Sequence, residues 1–358
     1  MNDYIQDMID WIEENLLATI SLDKLSVHMG FSPYYCSFKF HQSTGMSIRQ
    51  YTLLRRLYLS TKKLENGRKI IDVAFDYDYS SQEAYSRAFK SVFGITPKMY
   101  QQQRVPIQTV FKLTINKEGE GYQMDISKKI ESDQLPTLKQ AFLNQNVLNV
   151  LNGQHMYKVF KDKQLMGSAD YVPFNEAMSV HETTEIIFSE TFIELRSSGH
   201  YDTKENYRKK VIAPLNCLFT KSYNCLVLWF GEDMFCQMNL LTMLAYLEQS
   251  DYNGEVFLNS FREDEFKVNQ TKLKLGNYLS VYKEVLLNHQ KPSSELLPVM
   301  FQAVNLYLDM LNEHNEVTKY IYKNKNLSTD ELLNNLLRLF PRIGYGDSQY
   351  LELINKCL

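Results

Sequence analysis

The sequence lacks the motifs that identify several large classes of protein. It has no P-loop, no dinucleotide-binding glycine motif, no nucleophile-elbow serine motif and no zinc-peptidase motif. No apolar run approaches the roughly 20 residues that cross a bilayer, and the acidic, amphipathic N-terminus does not read as a signal peptide. We therefore expect a cytoplasmic protein that is not an enzyme, and we assign no catalytic residue, cofactor or metal.

Cysteine and net positive charge are also scarce. The five cysteines are scattered, and none forms a Cys-x-x-Cys pair or stands at a zinc-like spacing from a histidine. We favour reduced thiols over a redox sensor built on Cys217, Cys225 and Cys236. The formal net charge is −3; residues 1–104 carry 13 Lys/Arg against 11 Asp/Glu, and the remainder carries 26 against 31. Charge alone therefore does not indicate a nucleic-acid partner.

Apolar residues, in contrast, are plentiful. They make up 44% of the chain, and aromatic residues make up 13%, which excludes a disordered protein. A chain of 358 residues predicts two or three domains.

The region from Ser21 to Tyr100 repeats one local pattern: a helix, a tight turn and a second helix. In the first copy Ser21 is a good N-cap, a glycine can stop the helix, and a second helix spans Ser32–Gln42. In the second copy the second helix spans Ser81–Phe93, and an amphipathic helix from Ser47 to about Asn66 joins the copies. The second helix of such a pair can enter a DNA major groove. Two copies in tandem are far more specific than one.

These residues resemble the AraC/XylS family of transcription regulators. The matching text is FSPYYCSFKFHQSTGMSIRQY and IIDVAFDYDYSSQEAYSRAFKSVFGITPKMY, within roughly residues 5–104. The resemblance implies an all-helical module of about seven helices, with two recognition helices in successive major-groove segments on one DNA face. Asp78 stands where the family usually has glycine, Phe38 where many members have a base-reading arginine, and Lys39 where many have an apolar residue. The signature residues of the second copy are Ser81, Gln82, Ala84, Arg87, Phe89, Lys90, Gly94, Thr96, Pro97 and Tyr100.

The resemblance also implies which residues contact DNA. Arg87 would read a guanine through a bidentate pair, and lysines with backbone N–H groups would hold phosphates. The predicted contacts are Tyr34, Ser37, Phe38, Gln82, Glu83 and Arg87 for bases, Lys39 and Lys90 for phosphates, and Ser81 at the start of the second recognition helix.

Residues 107–358 mix strand and helix patterns. A short apolar strand, a long helix from about Asp233 to Gln249 and a second strand predict a βαβ unit with parallel strands. The KEGEG sequence at 117–121 predicts a turn, after a linker that begins near Arg104. The predicted strands are Val110–Ile115, Met156–Phe160, Glu185–Ser189, Tyr223–Phe230 and Glu255–Asn259.

Ligands in open α/β sheets bind beyond the carboxyl ends of strands. The residues around the end of the strand at Phe230 are therefore candidates for an effector site. A structural role stays open, because carboxylates such as Glu232 and Asp233 at a helix start favour the helix dipole without any ligand. The candidate effector residues are Trp229, Gly231, Glu232, Asp233 and Gln237.

The chain from Ser293 onward predicts helices, one of them with a capping box formed by Ser328 and Glu331. From about Met156 the chain is similar to a bacterial α/β domain family of unknown function, through LVLWFGEDMFCQMNLLTMLAYL and GYGDSQY. That resemblance names no activity.

We conclude that the protein is multidomain. The predicted domains are an all-α double helix-turn-helix DNA-binding domain (1–104), an α/β effector-sensing domain (105–290) and a helical C-terminal subdomain (291–358). The predicted function is a sequence-specific DNA-binding transcription regulator whose C-terminal half senses a ligand. An interaction or oligomerisation module and a metabolite-processing enzyme stay open for that half. The predicted partners are double-stranded DNA and a small-molecule effector, with RNA polymerase as a further candidate and no membrane; monomer and homodimer both stay open.

Overall fold

The computed structural model describes residues 3–115, 146–262 and 267–358. The chain divides into two compact units: Met1–Gln123 with Asp309–Leu358 form the first, and Met124–Leu308 forms the second. The predicted domain boundaries follow residues 104 and 290, so they do not coincide with the divisions between these two units. They stay predictions. The predicted turn at 117–121 is outside the described residues.

The N-terminal part of the first unit is all-helical, as the resemblance implied. Serines cap several of its helix starts: the side chains of Ser21, Ser32 and Ser47 each accept a hydrogen bond from the backbone N–H three residues further on. The seven helices are α1 (Asp3–Glu14), α2 (Leu22–Met29), α3 (Pro33–Thr44), α4 (Ile48–Glu65), α5 (Ile70–Asp76), α6 (Gln82–Phe93) and α7 (Pro97–Gln103).

Helix α4 packs against both helix-turn-helix pairs. The ring of Tyr51 on α4 lies 5.8 Å from that of Phe40 on α3. The Ser60 hydroxyl, also on α4, lies 2.7 Å from the hydroxyl of Tyr85 on α6. All four residues are buried. One helix therefore anchors both recognition helices.

The segment after α7 corrects one predicted strand. Val110–Ile115 runs without regular secondary structure, and side chains rather than a neighbouring strand bond its backbone. The Leu113 N–H donates to the Tyr51 hydroxyl at 3.3 Å, and the Ile115 N–H donates to Gln6 Oε1 at 2.7 Å. The strand-like sequence of this segment therefore belongs to an extended stretch whose backbone N–H groups donate to side chains on helices.

The second unit contains a mixed five-stranded sheet with the strand order β2-β1-β3-β4-β5. The first four strands are parallel and β5 is antiparallel to β4. The strands are β1 (Val147–Asn152), β2 (Asp170–Phe174), β3 (Cys225–Trp229), β4 (Glu255–Arg262) and β5 (Lys267–Leu273). The α-helices that accompany them are α8 (Gln154–Asp162), α9 (Glu190–Gly199), α10 (Lys204–Tyr207), α11 (Asn216–Thr220), α12 (Met234–Gln249) and α13 (Tyr278–Tyr282). Two π-helical turns span Arg208–Ile212 and Lys283–Leu287, and a 3₁₀ turn spans Ala213–Leu215.

The predicted βαβ unit is confirmed, because β3 and β4 pair in parallel and α12 connects them. Two other predicted strands were wrong. Met156–Phe160 lies within α8, which supplies the crossover that the parallel strands β1 and β2 require. Glu185–Ser189 is irregular, since Phe188 has φ 62° and its ring packs against Phe174. Strands β1, β2 and β5 were not predicted.

The C-terminal helices are α14 (Pro298–Met310), α15 (Glu316–Lys323), α16 (Thr329–Leu339) and α17 (Asp347–Cys357). The predicted capping box of Ser328 and Glu331 is present at the start of α16. Helix α15 was not predicted. Residues 309–358 belong to the first unit, where Phe340 packs against Gly45. Within the described ranges, no helix is long and apolar enough to span a bilayer.

Candidate nucleic-acid interface and ligand cavity

Helix α3 presents an exposed aromatic pair. Cys36 and Phe40, four residues apart, are buried, and this turns other faces of the helix outward. Tyr34 is 78% exposed and Phe38 is 47% exposed, and their rings stack with centroids 6.1 Å apart and 10° between the planes. Ser37 is exposed beside them. Such a surface can make apolar contacts with thymine methyl groups.

Lys39 is half-buried beside this pair. Its Nζ donates to Gln42 Oε1 at 2.9 Å and lies 5.8 Å from the ring centroid of Phe38. An ammonium group has three N–H donors. A phosphate contact is therefore compatible with the bond to Gln42.

Helix α6 is fixed by its cap and its buried rings. The Ser81 hydroxyl accepts a hydrogen bond from the Ala84 N–H at 3.1 Å. Tyr85 and Phe89 are fully buried, and their ring centroids are 5.7 Å apart. Ser81 therefore has a structural role in addition to any contact with DNA.

The other predicted contacts of α6 lie on its outer sides. Glu83, Arg87 and Lys90 are exposed and Gln82 is half-buried. The N–H of Glu83 itself and then the Ser81 hydroxyl lower the pKa of the Glu83 carboxyl below its usual value. In the part of the chain that the structure describes, no hydrogen bond or ion pair engages the Arg87 guanidinium. Its fork of donors is available to a base edge.

Asp78 holds the turn before α6. It adopts the left-handed conformation that its position requires, with φ 63°. The Thr19 hydroxyl donates to Asp78 Oδ1 at 2.9 Å, and an Arg56 nitrogen lies 3.3 Å from Oδ2. The sequence reasoning missed Arg56, which also donates to the Leu16 carbonyl at 2.9 Å.

Two exposed recognition helices on one helical frame define a helix-turn-helix DNA-binding protein. A helix-turn-helix domain model matches residues 25–103. The HTH-type transcriptional activator AarP of Providencia stuartii is 32% identical over 97 residues, which are 27% of this chain and 72% of AarP. The multiple antibiotic resistance protein MarA of Escherichia coli is 32% identical over 113 residues, which are 31% of this chain and 89% of MarA.

A crystal structure of an AraC-type transcriptional regulator from Chromobacterium violaceum has 23% identity and a TM-score of 0.28, covering 29% of this chain and 93% of that one. The family assignment rests on the sequence identity to AarP and MarA. The chain belongs to the AraC family of transcription regulators.

In the second unit, the five candidate effector residues lie where β3 leads into α12. Trp229 is fully buried, and its indole N–H donates to Asn149 Oδ1 at 2.9 Å. Gln237 is also buried, and its amide donates to the Gly231 carbonyl at 2.6 Å. The three predicted residues Trp229, Gly231 and Gln237 therefore contact protein in the interior.

The two acidic candidates have different neighbours. Asp233 is the N-cap of α12 and accepts a hydrogen bond from the Cys236 N–H at 2.7 Å. Burial raises the pKa of its carboxyl. Glu232 is buried as well. This geometry agrees with the structural role considered for these residues as an alternative to effector binding, in which carboxylates stabilise a helix start.

A cavity of about 650 Å³ opens at the carboxyl ends of β1 and β2. Its apolar wall includes Phe174, Val211 and Phe235. Another cavity of the same volume lies at the opposite edge, where β3 and β4 begin, beside Asn224 and Gly254. The first has the location that open α/β sheets use for ligands.

Glu176 is the buried charge at this cavity. Its Oε1 accepts from Arg196 at 2.7 Å and lies 2.6 Å from His200 Nε2, while its Oε2 accepts from the Tyr207 hydroxyl. Burial by itself raises the pKa of the Glu176 carboxyl, but the charge of Arg196 and the bond to His200 hold it far below its usual range. The carboxylate is ionised and its acceptor sites are occupied.

Lysines line the other side of the cavity. Lys209 and Lys210 lie on the π-helical turn Arg208–Ile212, a feature that often occurs at functional sites. Lys210 donates to Asp202 at 3.1 Å. Lys209 is exposed and forms no ion pair within the described ranges. Sequence reasoning missed this cavity, because its residues come from four separate segments.

Proposed function

We propose that α3 and α6 enter successive major-groove segments of one DNA site, about 34 Å apart. The observation that carries this proposal is that each helix buries one face in the helical core and leaves its predicted contact residues outside. The residues that would read bases are Tyr34, Ser37 and Phe38 from α3, with Gln82, Glu83 and Arg87 from α6.

The two helices would read DNA by different chemistry. The stacked rings of Tyr34 and Phe38 favour apolar contact with thymine methyl groups, whereas Arg87 favours a bidentate pair with guanine. Lys39, Lys90 and the first turn of α6 behind Ser81 would bind phosphates and fix the register.

Selection of binding sites from a random duplex pool with the full-length protein tests this proposal. For the selected operator we expect Arg87→Ala to cost about 1–3 kcal/mol and to relax preference at one base pair. Lys90→Ala is the matched control, because loss of a phosphate contact weakens binding to all sequences alike. An Arg87→Ala variant with the wild-type selection profile would exclude Arg87 as a base reader.

We also propose that the second unit senses a small molecule in the cavity at the ends of β1 and β2. Its volume lies within the range of ligand pockets, roughly 300–1,000 Å³. Glu176 and Asp202 are already paired, whereas Lys209 has no carboxylate partner among the described residues. These groups favour an anionic ligand with an apolar part against Phe174 and Phe235. The five sequence-predicted residues would support this site, since Asp233 caps the helix that carries Phe235.

A thermal-shift screen of the full-length protein with small carboxylates and phosphate esters tests the sensing proposal. A ligand that binds only the folded state raises the melting temperature. We expect a response to acids, none to the corresponding amides and alcohols, and loss of the response in Lys209→Ala. Lys158→Ala is the control, because Lys158 is an exposed lysine of the same unit that does not line the cavity. A ligand that Lys209→Ala binds as tightly as wild type would contradict this placement.

The ligand would act by binding one conformation of the regulator more tightly than another. The proposal assigns no reaction to the second unit. The alternatives are an interaction module, which would appear as concentration-dependent assembly, and an enzyme, which would turn the ligand over. RNA polymerase stays a candidate partner in this proposal. A monomer and a homodimer are both compatible with it.

A further inference from the structure

The C-terminal segment places three exposed lysines next to the first recognition helix. Lys319 and Lys323 lie four residues apart on α15, and Lys325 follows two residues after its end. The opposite face of α15 is buried through Val317 and Ile321. The lysines are therefore held on a fixed outer surface of the first unit.

Contacts between α15 and the α3–α4 corner define where this surface lies. Lys323 Nζ donates to His41 Nδ1 at 2.8 Å, and the Gln50 amide donates to Glu316 Oε1 at 3.1 Å. His41 is one turn beyond Phe38 and two turns beyond Tyr34, so it continues the aromatic face of α3. The ammonium of Lys323 lies at the end of the face that would enter the groove.

The charges around this corner favour an anion. Lys39 on α3 and exposed Arg49 on α4 add two cations. Burial, and then the charge of Lys323, lowers the pKa of His41 below its usual value, so the cation of that pair is the lysine. The acidic residue whose charge acts on His41 is Glu316, and the Gln50 amide already donates a hydrogen bond to it. Among the described residues, no carboxylate pairs with the three lysines.

We propose that Lys319, Lys323 and Lys325 bind the DNA phosphates that flank the groove entered by α3. This site goes beyond the base contacts proposed above and rests on α3 entering DNA. Its role follows from the sequence: residues 1–104 have nearly balanced charge, and α3 carries Phe38 instead of a base-reading arginine. Phosphate contacts from another part of the chain would supply the missing electrostatic affinity.

Salt dependence of DNA binding measures this contribution. Full-length protein is titrated against its selected operator duplex by fluorescence anisotropy at several KCl concentrations. Each phosphate contact contributes about 0.9 to the slope of log K against log [salt]. For K319Q/K323Q/K325Q we expect the slope to become shallower by about 2–3, with unchanged preference among operator variants. K319R/K323R/K325R is the control and should keep the wild-type slope.

Three other outcomes would overturn the inference. An unchanged salt slope in the triple Gln variant would exclude phosphate contacts by these lysines. A loss of affinity at constant slope that Lys323→Gln alone reproduces would mean that Lys323 positions His41 and does not contact phosphate. Tighter binding would mean that α15 obstructs the groove. These outcomes differ from failure of the proposed function, in which wild-type protein would not distinguish its selected operator from a scrambled duplex.

Discussion

At the scale of single residues, Asp78 shows what sequence can and cannot supply. Its tolerance of the left-handed conformation is a local property and could be predicted from the residue type. Its bonds to Thr19 and Arg56 could not, because those residues are 59 and 22 positions away. The aspartate therefore replaces the conformational freedom of glycine with a tether between the turn, α4 and the segment before α2.

Replacing Asp78 separates the two effects. Asp78→Gly relieves backbone strain but removes the tether, whereas Asp78→Ala removes the tether and keeps the strain. We expect alanine to lower the free energy of unfolding by about 1 kcal/mol more than glycine does. Urea unfolding followed by Trp11 fluorescence in a Trp229→Phe background reports the first unit. Equal losses for both variants would show that the left-handed conformation carries no strain.

At the scale of elements, predictions succeeded where neighbouring residues determine the secondary structure. They failed where contacts with distant segments determine it. Serine caps and apolar spacing located α2, α3, α4, α6 and the capped α16. The short apolar strand β1 is buried within a parallel sheet, so it lacks the alternation that identifies a strand. The residues Met156–Phe160 lie within the crossover helix α8. The packing of the C-terminal helices on α3 joins distant segments and has no local signal.

The contact between α3 and the C-terminal segment can be tested at Gly45. This residue ends α3 with φ 77°, and an added Cβ would lie 2.6 Å from the Phe340 ring. Gly30 ends α2 with φ 67° and has no atom within 4 Å of an added Cβ. We expect Gly30→Ala to lose about 1 kcal/mol from strain, and Gly45→Ala to lose about 1–3 kcal/mol more from overpacking. Urea unfolding measures both.

A second substitution identifies the cause of the extra loss. Phe340→Leu removes the ring that the new methyl group would meet. If the ring is responsible, Gly45→Ala should cost no more than Gly30→Ala when both are made in the Phe340→Leu background. An extra loss that persists there would place the cause in the backbone.

At the scale of the whole molecule, the chain carries two tryptophans, one in each compact unit. Trp11 lies in α1 of the first unit, and Trp229 lies in the sheet of the second. Single-tryptophan variants therefore follow each unit separately in the intact protein.

The second unit should be sensitive to acid through Glu176. The pKa of this carboxyl is held below its usual value in the folded state, so the unfolded chain binds more protons as the pH falls. Its contribution to the free energy of unfolding is therefore complete well above the ordinary glutamate pKa, about 4.3, and decreases below it. Glu176→Gln should remove this pH dependence. It should also cost about 3–5 kcal/mol near neutral pH, because Arg196 is left buried without its partner. Unfolding followed by Trp229 in a Trp11→Phe background measures both effects, and a Gln variant with wild-type stability at pH 7 would mean that Glu176 does not anchor the cavity wall.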